Sequence, residues 1–256
     1  MKHIKLEESD GVLRIALSRA DKRNAFHPEM IKELTKAFKD AAKSKARALV
    51  LSGEGESFCA GGDLDWMKSM AKFSDKENLK DSEQLFDMFE AARVCPLPIL
   101  GRAHGHAMGG ALGLLAICDI VAAETQTQFC FSEVKIGLVP AVISSFCIDK
   151  MNPSKARELM LTGKLFTASE ALEAGLIHFH GDLGAVDAFI EKNISMVRKA
   201  GPEAVRETKK LLQFLTENPR SKYRRASAKV IAKRRASKEG QAGLNSFFDK
   251  KPAPWA

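Results

Sequence analysis

The spacing of apolar residues changes character along this chain. In the first 140 residues, short apolar runs alternate with amphipathic stretches. Residues 12–18 (VLRIALS) and 47–52 (RALVLS) are rich in β-formers and predict strands. Between them Met30, Ile31, Leu34, Phe38, Ala41 and Ala42 recur at helical spacing behind Pro28, which predicts a helix over 28–43. Strand, helix and strand in that order predict a parallel crossover. Residues 98–103 (PILGRA) and 119–123 (DIVAA) read as further buried strands, and 129–134 as a short extended segment. Residues 79–92 and 111–116 read as helices, and 73–78 as a polar, mobile connection. From Ala141 onward the pattern is helical: 153–161, 167–174, 183–199 and 202–215, then one long basic helix over 219–239. Thr167 and Glu170 have the spacing of a capping box. An α/β core followed by a helical C-terminal region is the expected architecture.

Composition narrows the class. With 256 residues, 45% hydrophobic and 28% charged, the chain can bury a sizeable core, so disorder is not expected. The longest apolar stretch, 107–117, is too short to cross a bilayer, and the opening MKHIK has no apolar signal core, so neither membrane nor export is expected. Five cysteines at 59, 95, 118, 130 and 147 form no CxxC pair, which predicts free thiols in a reducing cytoplasm. The net charge of +8 is concentrated in Arg220, Lys222, Arg224, Arg225, Lys229, Lys233, Arg234, Arg235 and Lys238. Such a run attracts polyanions, RNA among them, but the aromatic content of 7% leaves little for base stacking, so a nucleic-acid partner is not expected.

Two glycine-bearing loops follow buried strands and lead into helices: FCAGGDL (58–64) and HAMGGAL (106–112). Amides at a helix N-terminus lack intrahelical acceptors, and glycine lets a ligand come close to them. Two such loops facing each other would aim two N–H donors at one oxygen, as an oxyanion hole requires. Neither loop is a GxGxxG, and the chain has no GxxxxGK[ST] and no GxSxG. His104, His106, His178 and His180 lack a third ligand at useful spacing, so no metal is expected. Cys59 reads as packing, Asp63 and Asp65 as helix-start residues, and Trp66, Met67 and Met70 as core or acyl-pocket lining.

FCAGGDL, HGHAMGGALGL, CDIVAA, QFCFSEVKIGLVPA, RELMLTGKLFTASEALEAGLI and the closing FFDKKPAPW, in that order, resemble the enoyl-CoA hydratase/isomerase (crotonase) family over essentially the whole chain. The resemblance implies a crotonase-like α/β fold of repeated ββα units, with a core over 1–195 and a helical trimerisation region over 196–256. It implies homotrimers or hexamers built as dimers of trimers. It also implies an acyl-CoA thioester substrate, with coenzyme A entering only as part of the substrate and no other cofactor. It places the oxyanion N–H groups on Ala60 and Gly110 and an acid/base carboxylate on Glu133. The family's second carboxylate falls at Gly113, which has no side chain. The loop RADKRNAF resembles the family's RPxxxNAL segment along the CoA cleft, which makes Lys22, Ala25 and Phe26 candidates for substrate binding. Gly62, Asp63, Leu64, Gly109 and Val139 complete that set. GALGL, SEVKIGLVPAVIS and AGGDLDWMKSMA are similar to bacterial methylglutaconyl-CoA hydratases. The expected reaction is therefore hydration, or its reverse, of a branched enoyl-CoA such as 3-methylglutaconyl-CoA. The alternatives are double-bond isomerisation on the same scaffold and RNA binding through the basic helix.

Overall fold

A hairpin opens the chain in the computed structural model, which describes residues 1–255. Strand β1 (Ile4–Ser9) pairs antiparallel with β2 (Val12–Leu17), turning through Asp10 and Gly11, both in left-handed backbone. That geometry suits the right-handed twist of a two-residue hairpin. The apolar pattern does not predict β1, because Ile4 is its sole buried residue. Helix α1 (Pro28–Ala41) then leads to β3 (Ala48–Gly53), which lies parallel to β2. This is the crossover expected from the spacing.

Helices α2 (Leu64–Met70) and α3 (Asp75–Arg93) follow. Residues 73–78 are not the expected mobile connection, because α3 starts at Asp75. Ser74 accepts from the Glu77 N–H, and the Glu77 carboxylate accepts from the Ser74 N–H, so a capping box closes the first turn within a polar stretch. Strand β4 (Ile99–Ala103), strand β5 (His106–Met108) and helix α4 (Gly110–Ala116) form a ββα unit. The chain bends between the two strands at Gly105. Its φ is +60°, and a Cβ there would lie 1.9 Å from the Glu56 carbonyl oxygen. Strands β6 (Ile120–Glu124) and β7 (Gln128–Cys130) repeat the pattern and end in a 3-10 turn, Glu133–Ile136.

The helical part comprises α5 (Ala141–Lys150), α6 (Pro153–Thr162) and α7 (Ala168–Glu173), then short strand β8 (Phe179–Gly181), then α8 (Leu183–Arg198) and α9 (Pro202–Glu217). The expected capping box at Thr167 and Glu170 is present. The expected single basic helix is broken into a 3-10 turn (Arg220–Lys222), α10 (Tyr223–Arg235) and α11 (Lys238–Phe248). Ser237 makes the break by accepting from the Gly240 N–H. Glu239 then turns back to accept from the Glu203 and Ala204 N–H groups at the start of α9 and from Arg234. A carboxylate at a helix N-terminus is favoured by the dipole.

Six strands form the main sheet in the order β1-β2-β3-β4-β6-β8, parallel from β2 onward. Strand β3 is buried on both faces. Leu49 and Leu51 join the large core beneath α1, α3 and α4, while Ala48 and Val50 meet Val186, Ile190 and Ile194 of α8. Each of the Leu, Val and Ile side chains among them contributes about 1.5–3 kcal/mol on burial. Strands β5 and β7 pair in a separate small sheet, extended by single bridges Phe26–Gly62, Cys59–Ala107 and Phe129–Phe166. This second layer carries both glycine loops.

Helix α9 is pinned to the main sheet by one buried amine. Lys209 Nζ donates to Asp119 Oδ2 at 2.6 Å and to the Leu97 carbonyl at 2.9 Å, and Asp119 also accepts from the Ile99 N–H. Lys209→Met keeps the apolar stem and removes both donors. It is expected to cost about 1–3 kcal/mol, read as a lower urea midpoint at unchanged slope.

Candidate active site

The two glycine loops dock along the small sheet. The Cys59 N–H donates to the His106 carbonyl at 3.0 Å, and the Met108 N–H to the Cys59 carbonyl at 3.1 Å. His104 and His106 tie the same loops down, through the Gly55 carbonyl and the Ser57 hydroxyl. Cys59 is fully buried, and burial pushes its thiol up to about 12.

The loop at 19–26 closes over FCAGGDL through two residues that the motif reading does not single out. Asn24 is wholly buried in left-handed backbone. It donates to the Glu54 and Ser57 carbonyls, each at 2.8 Å, and accepts from the Arg19 N–H. Arg19 reaches the Ala25 carbonyl at 2.6 Å and Asp63 at 2.8 Å. Asn tolerates this backbone better than other non-glycine residues, which is the one signal in the sequence for it. Burial would raise the Asp63 carboxyl, but the Arg19 guanidinium and the Trp66 and Asp65 amides outweigh it and hold the group below its ordinary value.

Seated this way, Phe26 makes a bridge whose bonds flank Gly62. The Phe26 N–H donates to the Gly61 carbonyl at 2.7 Å, and the Asp63 N–H donates to the Phe26 carbonyl at 2.8 Å. The Gly62 N–H lies between them without an acceptor among the described residues, as does the Gly110 N–H at the start of α4. The expectation for Ala60 is corrected: its N–H donates to the Arg23 carbonyl at 2.9 Å, and Ala60 does not line the cavity. Gly62 does.

That cavity holds about 620 Å³, within the range of roughly 300–1,000 Å³ usual for small-molecule sites. Phe26, Gly62, Gly110, Glu133 and Val139 line it, together with Trp66, Met67 and Met70. Residues 140–143 at the start of α5, within the SEVKIGLVPAVIS segment, also line it, as do Leu85, Asn78 and Ser82 of α3, which the motifs do not mark. Other expected binding residues stand elsewhere. Ala25 is buried against Arg19, and Asp63 is held in the ion pair and caps α2. The Gly109 N–H donates to the Cys130 carbonyl at 2.8 Å. Lys22 and Leu64 are exposed outside the cavity, Lys22 beside Asp65 at 3.3 Å.

Glu133 is half-buried, on the turn after β7. A Cβ on Gly109 would lie 3.2 Å from Glu133 Oε1, so glycine there leaves room for the carboxylate. Glu133 Oε2 is buried without a partner in the protein. Burial raises the pKa of this group above the ordinary carboxylate value, and a backbone hydrogen bond only partly offsets it. Opposite chemistry prevails at Gly113. A Cβ there would lie 2.6 Å from Ile143 Cγ2 and 2.8 Å from the Phe89 ring. Apolar atoms fill the place where a second carboxylate would start.

A buried carboxylate beside two unbonded amides in an apolar cavity can move a proton next to a carbonyl and stabilise the resulting enolate. A family model described as enoyl-CoA hydratase/isomerase matches residues 7–256. The chain belongs to the enoyl-CoA hydratase/isomerase family. It is 32% identical over 244 residues to the enoyl-CoA hydratase ACTT6 of Alternaria alternata, covering 93% of this chain and 78% of that one. An enoyl-CoA hydratase from Shewanella pealeana superposes with a TM-score of 0.94 at 35% identity, covering 99% and 96% of the two chains. Pseudomonas aeruginosa AtuE superposes at 0.96 with 30% identity, covering 99% of each. The fold is the crotonase fold.

Two outcomes follow for this site. Gly113→Glu is expected not to create a two-carboxylate centre but to overpack the Phe89–Ile143 contact, costing about 1–3 kcal/mol by urea denaturation. Glu133→Gln is expected to stabilise the enzyme. A raised carboxyl favours the neutral form in the fold. Its contribution is therefore full below the unfolded value, 4.5, and is lost as pH rises through the folded one. The variant should melt at a higher temperature than the unmodified enzyme at pH 7. The difference should vanish near pH 4.

Proposed function

We propose that this enzyme hydrates an enoyl-CoA, or dehydrates the corresponding 3-hydroxyacyl-CoA, with Glu133 as its single acid/base group and the Gly62 and Gly110 N–H groups as the oxyanion hole. The observation that carries the reading is the conjunction of Glu133 and those two unbonded amides in one apolar cavity. In the forward direction Glu133 takes a proton from water as the water oxygen bonds to Cβ. The electron pair of the double bond moves toward the thioester, whose oxygen becomes an enolate held by the two amides. As the carbonyl re-forms, Glu133 returns the proton to Cα. Water is added overall and the carboxylate is regenerated. A single carboxylate serves one face of the substrate, so the hydrogen and the hydroxyl of water should arrive on the same side.

Among the described residues lining the cavity there is no Lys or Arg. Met67, Met70, Leu85, Val142 and Ile143 instead favour a branched hydrocarbon acyl group over the second carboxylate of 3-methylglutaconyl-CoA. Lys22, exposed outside the cavity, remains our candidate for the CoA handle. Exposed Phe247 and Phe248 on α11 support assembly into a trimer.

One observation favours a second reading. The apolar closure at Gly113 leaves no second carboxylate for water, and moving a double bond from β,γ to α,β needs only one base. Absorbance of the conjugated thioester decides between the two. With 3-methylcrotonyl-CoA, 3-methylglutaconyl-CoA and crotonyl-CoA, hydration lowers the signal, and Glu133→Gln should slow it by about 10²–10⁴. The acid limb of kcat/KM should lie above the ordinary glutamate value, because Glu133 must be ionised to act and burial raises its pKa. No hydration of any of the three, with signal growth from a 3-enoyl-CoA, would replace hydratase by isomerase.

A further inference from the structure

Two residues of the cavity wall each carry a buried polar atom with no partner within the protein: Glu133 Oε2 and the indole nitrogen of Trp66, Nε1. Leaving such groups unpaired costs free energy, so each points to a ligand atom that completes it. The other polar side chains of the wall are already engaged, since Asn78 Nδ2 donates to the Phe73 carbonyl and Ser82 Oγ to the Asn78 carbonyl. The two unpaired atoms are complementary. An indole N–H can only donate, and an ionised carboxylate can only accept. A water or hydroxyl oxygen is the smallest group that accepts from one and donates to the other. Trp66 stands in the first turn of α2, four residues after Gly62, so the loop that presents an oxyanion amide leads directly into the helix that carries the indole.

We infer that Trp66 is the water-positioning residue of this enzyme. Its Nε1–H donates to the oxygen that joins or leaves Cβ, while Glu133 exchanges that oxygen's proton. The assignment rests on the hydratase reading above. It gives α2 a role that α4 cannot fill, because Gly113 is closed to any side chain. In hydration the N–H orients a lone pair of water toward Cβ. In dehydration it stabilises the oxygen as negative charge gathers on it. Moving a hydrogen on Cα needs no such donor, so this residue separates two reactions that Glu133 serves alike.

The experiment compares those two reactions in the full chain. Hydration of 3-methylcrotonyl-CoA is followed by absorbance, and exchange of the α-hydrogens of butyryl-CoA into D2O by NMR. Trp66→Phe should lower kcat for hydration about 10- to 100-fold, and at least about tenfold more than it lowers exchange. Trp66→His, which keeps a ring N–H, should recover part of the hydration. Unchanged hydration in Trp66→Phe would overturn the inference, and so would an equal loss of both reactions with no recovery in Trp66→His. Failure of the underlying reading looks different: the unmodified enzyme would show Glu133-dependent exchange with no hydration at all.

Discussion

Asn24 is buried with its amide and carbonyl bonded to three backbone groups, and the candidate site depends on that fixed point. Those bonds hold 19–26 against 54–57, and Arg19 extends the hold to Asp63. Phe26 then meets Gly61 and Asp63 in a single bridge, and the amide between them is left over. A backbone N–H that is free yet rigid is costly to maintain, because the chain normally pairs every such group. Here the surrounding bonds over-determine it. Gly110 reaches the same condition by a different route, as the first residue of a helix packed against the Phe26 ring, where a Cβ would lie 3.0 Å from the ring.

The electrostatics follow from which groups the cavity lets in. Glu133 sits where Gly109 has no side chain and where apolar neighbours make its charge unfavourable. That environment lowers stability and at the same time brings the group nearer the proton affinity that acid/base work near neutrality needs. The counterpart position at Gly113 was filled from outside by Phe89 and Ile143, so the asymmetry between the two positions belongs to the core packing and not only to one missing side chain.

Much of this was legible in the residues themselves. Strand β3 and helix α1 are strongly periodic, and Glu133 and Gly110 stand at motif positions that reach the cavity. Strand β1 was not legible, because a strand with one inward residue has no alternation to detect. The start of α3 was hidden for the opposite reason: Ser74 and Glu77 close their capping box inside a stretch that is polar throughout. The break before Ser237 was hidden by a charge run that reads as one helix, although Glu239 has a specific task at the start of α9. The shift from Ala60 to Gly62 has a different origin. Within AGG every residue offers the same donor; the Arg23 carbonyl, more than thirty positions upstream, takes up that of Ala60, and of the two glycines Gly62 lines the cavity beside Phe26.

Conjugated thioesters are soft electrophiles that alkylate thiolates. Cys59 stands three residues before Gly62 in the loop that borders the cavity. Its thiol is fully buried and, at about 12, stays protonated at physiological pH. The other four cysteines are buried as well. An enzyme of enoyl thioesters that keeps its sulfur as inert packing is protected from being inactivated by its own reactant.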